Sequence, residues 1–260
     1  MASYKDFEIP GILAIDDKHE LTRVTITTKL CEAELYLQGA HLTQWQPLQS
    51  QPILFLSDHS TFVSGKAIRG GVPIIFPWFG QRSATACDKR TDGPAHGFAR
   101  TETWQIVSAE MKDEQLTLVL SLEANETSKA LGFDQFSLTY SLSFGSELGL
   151  QLTVENHSQS ALCFAEALHT YFLVGDTQQI RISGLAGSEY YDKADGIKKK
   201  RQEETELTLS AETDRPYVNT TAPIVLHDLI MKRKITVSKS HSNSTVIWNP
   251  WAELTAKMAD

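Results

Sequence analysis

With 260 residues, 41% of them hydrophobic and 22% charged, the chain has material for a sizeable core, and all-β domains commonly reach this length undivided. A formal net charge of −8 excludes a general nucleic-acid surface, but not a small anion held by a local pair of arginines. No apolar run is long enough to span a bilayer, and the opening MASYKDFEIPG lacks the charged-then-apolar layout of a signal peptide. No membrane association is therefore expected, and the cytoplasm is the expected compartment.

The dominant period is two, the signature of half-buried strands. Strands are expected at 21–28 and 31–38. A long irregular stretch follows at 57–102. A loop of this length in a compact domain is usually functional or disordered, and its Trp, Phe and Pro content favours an ordered, functional one. IRGGVPIIFPWFG (68–80) sets Arg69 before two glycines and walls it with Pro73, Phe76, Pro77, Trp78 and Phe79. Glycine lets another group approach the backbone, and proline stiffens the turn. A guanidinium offers a planar fork to a carboxylate or phosphate. Arg69 is a candidate anion contact, the plainer alternative being a surface arginine beside a buried turn. PAHGFAR (94–100) adds His96 and Arg100, the latter able to form the other half of an anion clamp.

Strands are next expected at 103–110 and over Leu116, Leu118, Leu120 and Leu122. NETSKALGF (125–133) is the only helical-looking segment. Leu138, Tyr140, Leu142 and Phe144 mark one further strand and Leu148, Leu150, Leu152 and Val154 another, joined by the hairpin GSELG. Many antiparallel strands without βαβ alternation, and no linker or repeat, predict an all-β fold: one large antiparallel β-sandwich domain over 1–260.

SALCFAEALHTYFLVGD (160–176) reads as a strand with two unlike faces. One carries Leu162, Phe164, Glu166, Leu168, Thr170 and Phe172. The other carries Ala161, Cys163, Ala165, Ala167, His169 and Tyr171, small residues that leave room for a ligand beside a histidine. His169 is apt as a proton donor because the ordinary histidine pKa of roughly 6.5 lies near working pH. The alternative is a hydrogen-bonded core histidine. Glu166 falls on the opposite face and is not its expected partner.

Further strands are expected at 178–183, 204–209, 223–229, 233–239 and 244–249, with KKKR (198–201) as a solvated hairpin tip. AETDRPY (211–217) places Asp214 in a loop, able to accept from sugar hydroxyls or serving as an ordinary turn aspartate. Cys31, Cys87 and Cys163 are odd in number, and Cys31 and Cys163 read as small core residues of a reducing compartment. There is no HExxH, CxxC pair or Walker-type glycine loop, and the eight histidines are scattered, so no metal site is expected.

Taken in order, LQGAHLTQW, IRGGVPIIFPWFG, PAHGFAR, ALHTYFLVGD, SGLAG, ETDRPY and WNPWAE resemble the hexose-6-phosphate mutarotases of the aldose 1-epimerase superfamily. The resemblance implies a large twisted β-sandwich of the galactose-mutarotase type. It implies His169 as general acid, Arg69 and Arg100 as contacts to the sugar phosphate, and His96 and Asp214 as hydroxyl contacts. The implied reaction interconverts α and β anomers: a base takes the O1 proton, an acid protonates the ring oxygen, the ring opens and recloses on either face. No metal or redox cofactor is called for, and the partner is a small hexose 6-phosphate.

The family's base is a glutamate on a strand beyond the WNPW…MAD segment, and the chain's last residue is Asp260. Neither Glu253, expected in a loop after NPW, nor Asp260 matches that motif. The expectations are a C-terminally shortened sandwich lacking its last strand, or a protein working without the usual base. A monomer is expected, with edge-strand dimerisation open to a shortened sandwich. Two alternatives stand beside the mutarotase: a non-catalytic sugar-phosphate-binding protein, and a mutarotase for unphosphorylated aldoses.

Overall fold

In the computed structural model, which describes residues 4–257, the period-two segments become antiparallel strands. Asp260 lies outside the described residues. The chain falls into two compact units, Met1–Leu173 and Val174–Asp260.

The first unit opens on a four-stranded meander, β1 (Leu13–Asp16), β2 (Arg23–Thr27), β3 (Cys31–Tyr36) and β4 (His41–Pro47). The two-residue strand β5 (Ile74–Ile75) follows in the long loop region. A second meander comprises β6 (Gln105–Lys112), β7 (Gln115–Glu123), β8 (Phe136–Phe144) and β9 (Leu148–Asn156). Alternation sets which faces are buried. Val24 and Ile26, Leu116 to Leu122 at every second position, and Leu138, Tyr140, Leu142 and Phe144 all join one apolar cluster with Leu35 and Trp104. Each such side chain contributes roughly 1.5–3 kcal/mol on burial. The expected helix is α1 (Glu126–Ala130), started by Asn125, whose side chain accepts the Ser128 N–H at 2.9 Å while Ser128 Oγ accepts the Asn125 N–H at 2.9 Å.

Tyr140 is fully buried and packs edge-on against Trp104, with ring centroids 6.3 Å apart. Its hydroxyl has no hydrogen-bond partner among the described residues, and burial pushes its pKa upward. Tyr140→Phe deletes a desolvated group that returns nothing, so it is expected to be neutral or stabilising by up to ~1 kcal/mol. Chemical denaturation measures this. A loss of more than about 1 kcal/mol would show that the hydroxyl has a partner.

The run 160–176 is strand only at β10 (Ala167–Leu168), which pairs with β5. The expected continuous strand is corrected here, and the cause lies in its partner. Pro73 and Pro77 accept from His169 and Ala165 at 3.0 and 2.9 Å but have no N–H to return. The segment is extended and the ladder is half made. Cys163 is also not a free core thiol: it is disulfide-bonded to Cys87, with Cα atoms 6.3 Å apart across 76 residues of sequence. Cys31 is free and buried.

The second unit holds β11 (Ile180–Ser183), β12 (Glu189–Asp192), β13 (Lys198–Arg201), β14 (Glu206–Leu207), β15 (Thr213–Val218), β16 (Ile224–Asp228), β17 (Arg233–Val237), β18 (Ser244–Asn249) and the short helix α2 (Trp251–Thr255). They form two four-stranded sheets, ordered β14-β11-β16-β17 and β13-β12-β15-β18. Three expectations are corrected. KKKR is itself strand β13, paired to β12 and mostly exposed, while the turn lies at 193–197. Glu253, expected in a loop, is on α2. Asp214 is on strand β15 opposite Trp248, not in a loop. Pro216 made ETDRPY look like a turn. It lies beyond the stretch that β12 pairs, Tyr217 and Val218, and is in register with Val246 of β18 on the other edge.

Among the described residues, no helix is long and apolar enough to cross a membrane.

Candidate active site

The half-made ladder places the chemistry-bearing residues of the first unit. Tyr171 donates its N–H to Gly71 O at 2.9 Å, two residues on from the His169–Pro73 bond, so 165–171 runs antiparallel to 71–77. On its other edge, Phe55 and Tyr171 are joined at 3.0 Å, and Leu173 and Ile53 at 2.9 Å. His169 and the Arg69 turn are thus carried on two segments tied directly to each other.

Arg69 is pinned by its backbone. Its N–H donates to Ser60 Oγ at 3.1 Å, and its carbonyl accepts from Ser57 N–H at 3.0 Å and from Ser60 Oγ at 3.1 Å. Gly70 and Gly71 adopt φ of +105° and +59°. A Cβ on Gly70 would collide with the Phe55 carbonyl, and one on Gly71 with the Leu42 carbonyl. The glycines therefore admit the protein's own backbone, a different reason from the ligand approach expected of them. The aromatic wall divides likewise. Phe76 and Trp78 are buried in the apolar cluster, and Phe79 alone reaches the histidines.

His169 is half-buried, its ring stacked on Tyr171 at 4.9 Å and aligned with Phe79 at 6.3 Å. The His96 ring stands nearly perpendicular to it at 5.9 Å. His96 has φ +66° and is held to Gly80 both ways: its N–H donates to Gly80 O at 2.7 Å, and its Nδ1 accepts the Gly80 N–H at 3.2 Å. Because Nδ1 accepts, Nε2 carries the proton of the neutral ring. Ala165 is exposed and Ala167 half-buried, and Glu166 is exposed.

Arg100 donates from Nη2 to Ala95 O at 2.9 Å. It also lies close enough to His41 to disfavour a charge there. His41 is completely buried, and its Nε2 sits 2.8 Å from Gly70 O. Burial holds its pKa down at about 4, against the pull of the Gly70 carbonyl and with the help of the Arg100 charge. The two candidate anion contacts are thus linked through one neutral imidazole. Sequence reasoning passed over His41. It heads β4 directly after Gly39 and Ala40, both of positive φ, a backbone turn that the sequence signals only through the glycine.

A second residue that sequence reasoning missed is Arg82, whose side chain is 3% exposed. It binds Asp88 Oδ2 through Nε at 3.0 Å and Nη2 at 2.7 Å, donates to the Asp92 and Leu131 carbonyls, and lies over the Trp78 ring at 4.4 Å. With the Cys87–Cys163 bond it fixes the loop that leads into His96. Asp214 belongs to the second unit, where its Oδ1 is 3.8 Å from Lys193 Nζ. Among the described residues, no group of three or more His, Cys, Asp or Glu side chains is placed to hold a metal ion.

The family of aldose 1-epimerases matches residues 22–260. A relative from Escherichia coli K12, named "Putative glucose-6-phosphate 1-epimerase", is 33% identical over 253 residues, which are 97% of this chain and 82% of that one. The crystal structure of "a putative mutarotase" from Salmonella typhimurium, at 30% identity, superposes with a TM-score of 0.89 over 97% of this chain and 82% of the other. A galactose mutarotase-like protein from Clostridium acetobutylicum, at 14% identity, shares the fold with a TM-score of 0.70 over 92% of this chain and 84% of its own.

Proposed function

The chain belongs to the aldose 1-epimerase family, and from that premise we propose that it interconverts the α and β anomers of a hexose 6-phosphate, glucose 6-phosphate first. It is an isomerase of the epimerase and mutarotase type with the galactose mutarotase-like sandwich. The observation that supports the substrate reading is the shared ladder: one antiparallel pair of segments carries His169 and, close to it at the same end, the turn bearing Arg69.

His169 is the acid in this reading. It gives its proton to the ring oxygen as the C1–O5 bond breaks, while a base accepts the O1 proton and leaves C1 as an aldehyde. After rotation the aldehyde is attacked by O5 from either face, and both protons return. The stacked rings of Tyr171 and Phe79 hold the imidazole plane, so little reorientation is needed as the proton moves. In the first unit His96, with Nε2–H outward from its bond to Gly80, is the proposed hydroxyl contact; the role of Asp214, on β15 of the second unit, rests on the family resemblance alone. Arg69 and Arg100 are the proposed phosphate contacts, supplying the charge-assisted donors that separate this substrate from free glucose. No described residue is assigned the base. The proposed compartment is the cytoplasm, where charge retains phosphorylated sugars, and the proposed state is a monomer.

Exchange NMR of the glucose 6-phosphate anomers tests this at several protein concentrations. The exchange rate is expected to climb linearly with protein and clearly above the spontaneous rate, with far less acceleration of glucose. Equal acceleration of both sugars would make the chain a mutarotase for unphosphorylated aldoses. Binding without acceleration would make it a sugar-phosphate-binding protein.

A further inference from the structure

We propose that His41 is a positioning residue for phosphate recognition: its neutral imidazole sets the Gly70 carbonyl, and through it the turn that presents Arg69. The inference rests on the reading of Arg69 as a phosphate contact.

The geometry fixes the chemistry of the ring. Gly70 O can only accept, so the nitrogen 2.8 Å away, Nε2, must carry the proton. Nδ1 is then a bare lone pair. It is buried and has no hydrogen-bond partner among the described residues. Packing does not explain such a group, because a leucine would fill the same space without a desolvated nitrogen. His41 is 0% exposed beside Leu42 and Val72, both also 0% exposed, and a buried polar atom left unpaired destabilises the fold. What the imidazole supplies is a single N–H aimed at one peptide of the Arg69–Gly70–Gly71 turn.

That peptide needs an external hold. Gly70 and Gly71 at φ +105° and +59° have no side chains to restrict them, and Gly71 packs so closely that a Cβ would come 3.0 Å from His41 Nε2. The Arg69 peptide is held by Ser57 and Ser60, the Gly71 N–H by Phe55 O at 2.7 Å, and the Gly71 carbonyl by Tyr171. His41 completes the set at Gly70 O. The donor must also be uncharged. Arg100 already places a positive charge near this ring, and a lysine here would bring a further cation between two arginines meant for one dianion.

The experiment compares wild type, His41→Leu and His41→Gln by exchange NMR with glucose 6-phosphate and with glucose, alongside thermal melting. His41→Leu is expected to raise KM for glucose 6-phosphate by about three- to tenfold, the scale of one lost hydrogen bond, with kcat and the response to glucose little changed. His41→Gln is expected to restore KM, because the glutamine Nε2 amide reaches the position of the imidazole Nε2 and donates as it does. A fall in kcat with KM intact, an equal loss for both sugars, or a folded His41→Leu protein with wild-type KM overturns the proposal. If the leucine variant does not fold, nitrogen-15 NMR of the wild-type imidazole decides: the Nε2–H tautomer is required, and Nδ1–H overturns it. A wild type that shows no preference for glucose 6-phosphate over glucose instead defeats the phosphate reading itself, and the tautomer measurement is independent of that outcome.

Discussion

Replacing His169 by Asn is expected to slow anomer interconversion of glucose 6-phosphate by about 10²–10⁴ while leaving its binding within about threefold. Asparagine keeps a polar group near the position of Nδ1 but has no proton to release at neutral pH. The loss corresponds to roughly 2.7–5.5 kcal/mol of barrier, the usual contribution of one positioned acid. The backbone bond from His169 to Pro73 does not involve the side chain, so the segment should keep its course in the variant. The competing donor is His96, whose ring stands across from His169 at 5.9 Å and whose Nδ1 is engaged by Gly80. His96→Asn is therefore the paired control. A His169→Asn protein with unchanged turnover, together with a His96→Asn protein that has collapsed, would exchange the two roles. Both rates are measured by exchange NMR against the spontaneous reaction, which sets the floor of the assay.

The strands that were legible in the sequence are those with one face buried and one wet. β7 and β8 alternate cleanly because every second side chain meets the same apolar cluster, and a register slip would turn all of them to water. The candidate residues Arg69, His96 and Arg100 were legible because each stands close to glycine in the sequence. What could not be read depends on partners far along the chain. The run 160–176 alternates like a strand, but the prolines that deny it a full ladder lie near residue 75. The Cys87–Cys163 pair was hidden by the odd cysteine count and by a sequence separation of 76. Arg82 was missed because only the fold brings Asp88 and the Trp78 ring around it. His41 is the clearest case. Nothing in its neighbours announces that it reaches Gly70, because that contact is set by how β4 lies against a loop 29 residues later.

Removing either arginine is expected to weaken binding of glucose 6-phosphate by roughly 1.5–3 kcal/mol, or about ten- to 150-fold, in Arg69→Ala and in Arg100→Ala. Binding of glucose should barely change in either variant, since no phosphate is present to lose its donors. Arg69→Lys should recover only part of the loss, because an ammonium offers charge without the planar fork. The two substitutions should also be non-additive. Both residues act around His41, which binds the turn of Arg69 and feels the charge of Arg100, and groups that share a partner usually couple. A double-variant loss smaller than the sum of the single losses is the expected sign of one shared anion. Salt should weaken the wild-type complex more than either variant complex, because each variant has one charge fewer to screen. Calorimetry on the five proteins, at two salt concentrations and with both sugars, reads all of these at once. Losses of equal size for glucose and glucose 6-phosphate would mean that the arginines hold the fold of the loop and not the phosphate, and the substrate assignment would fall with them.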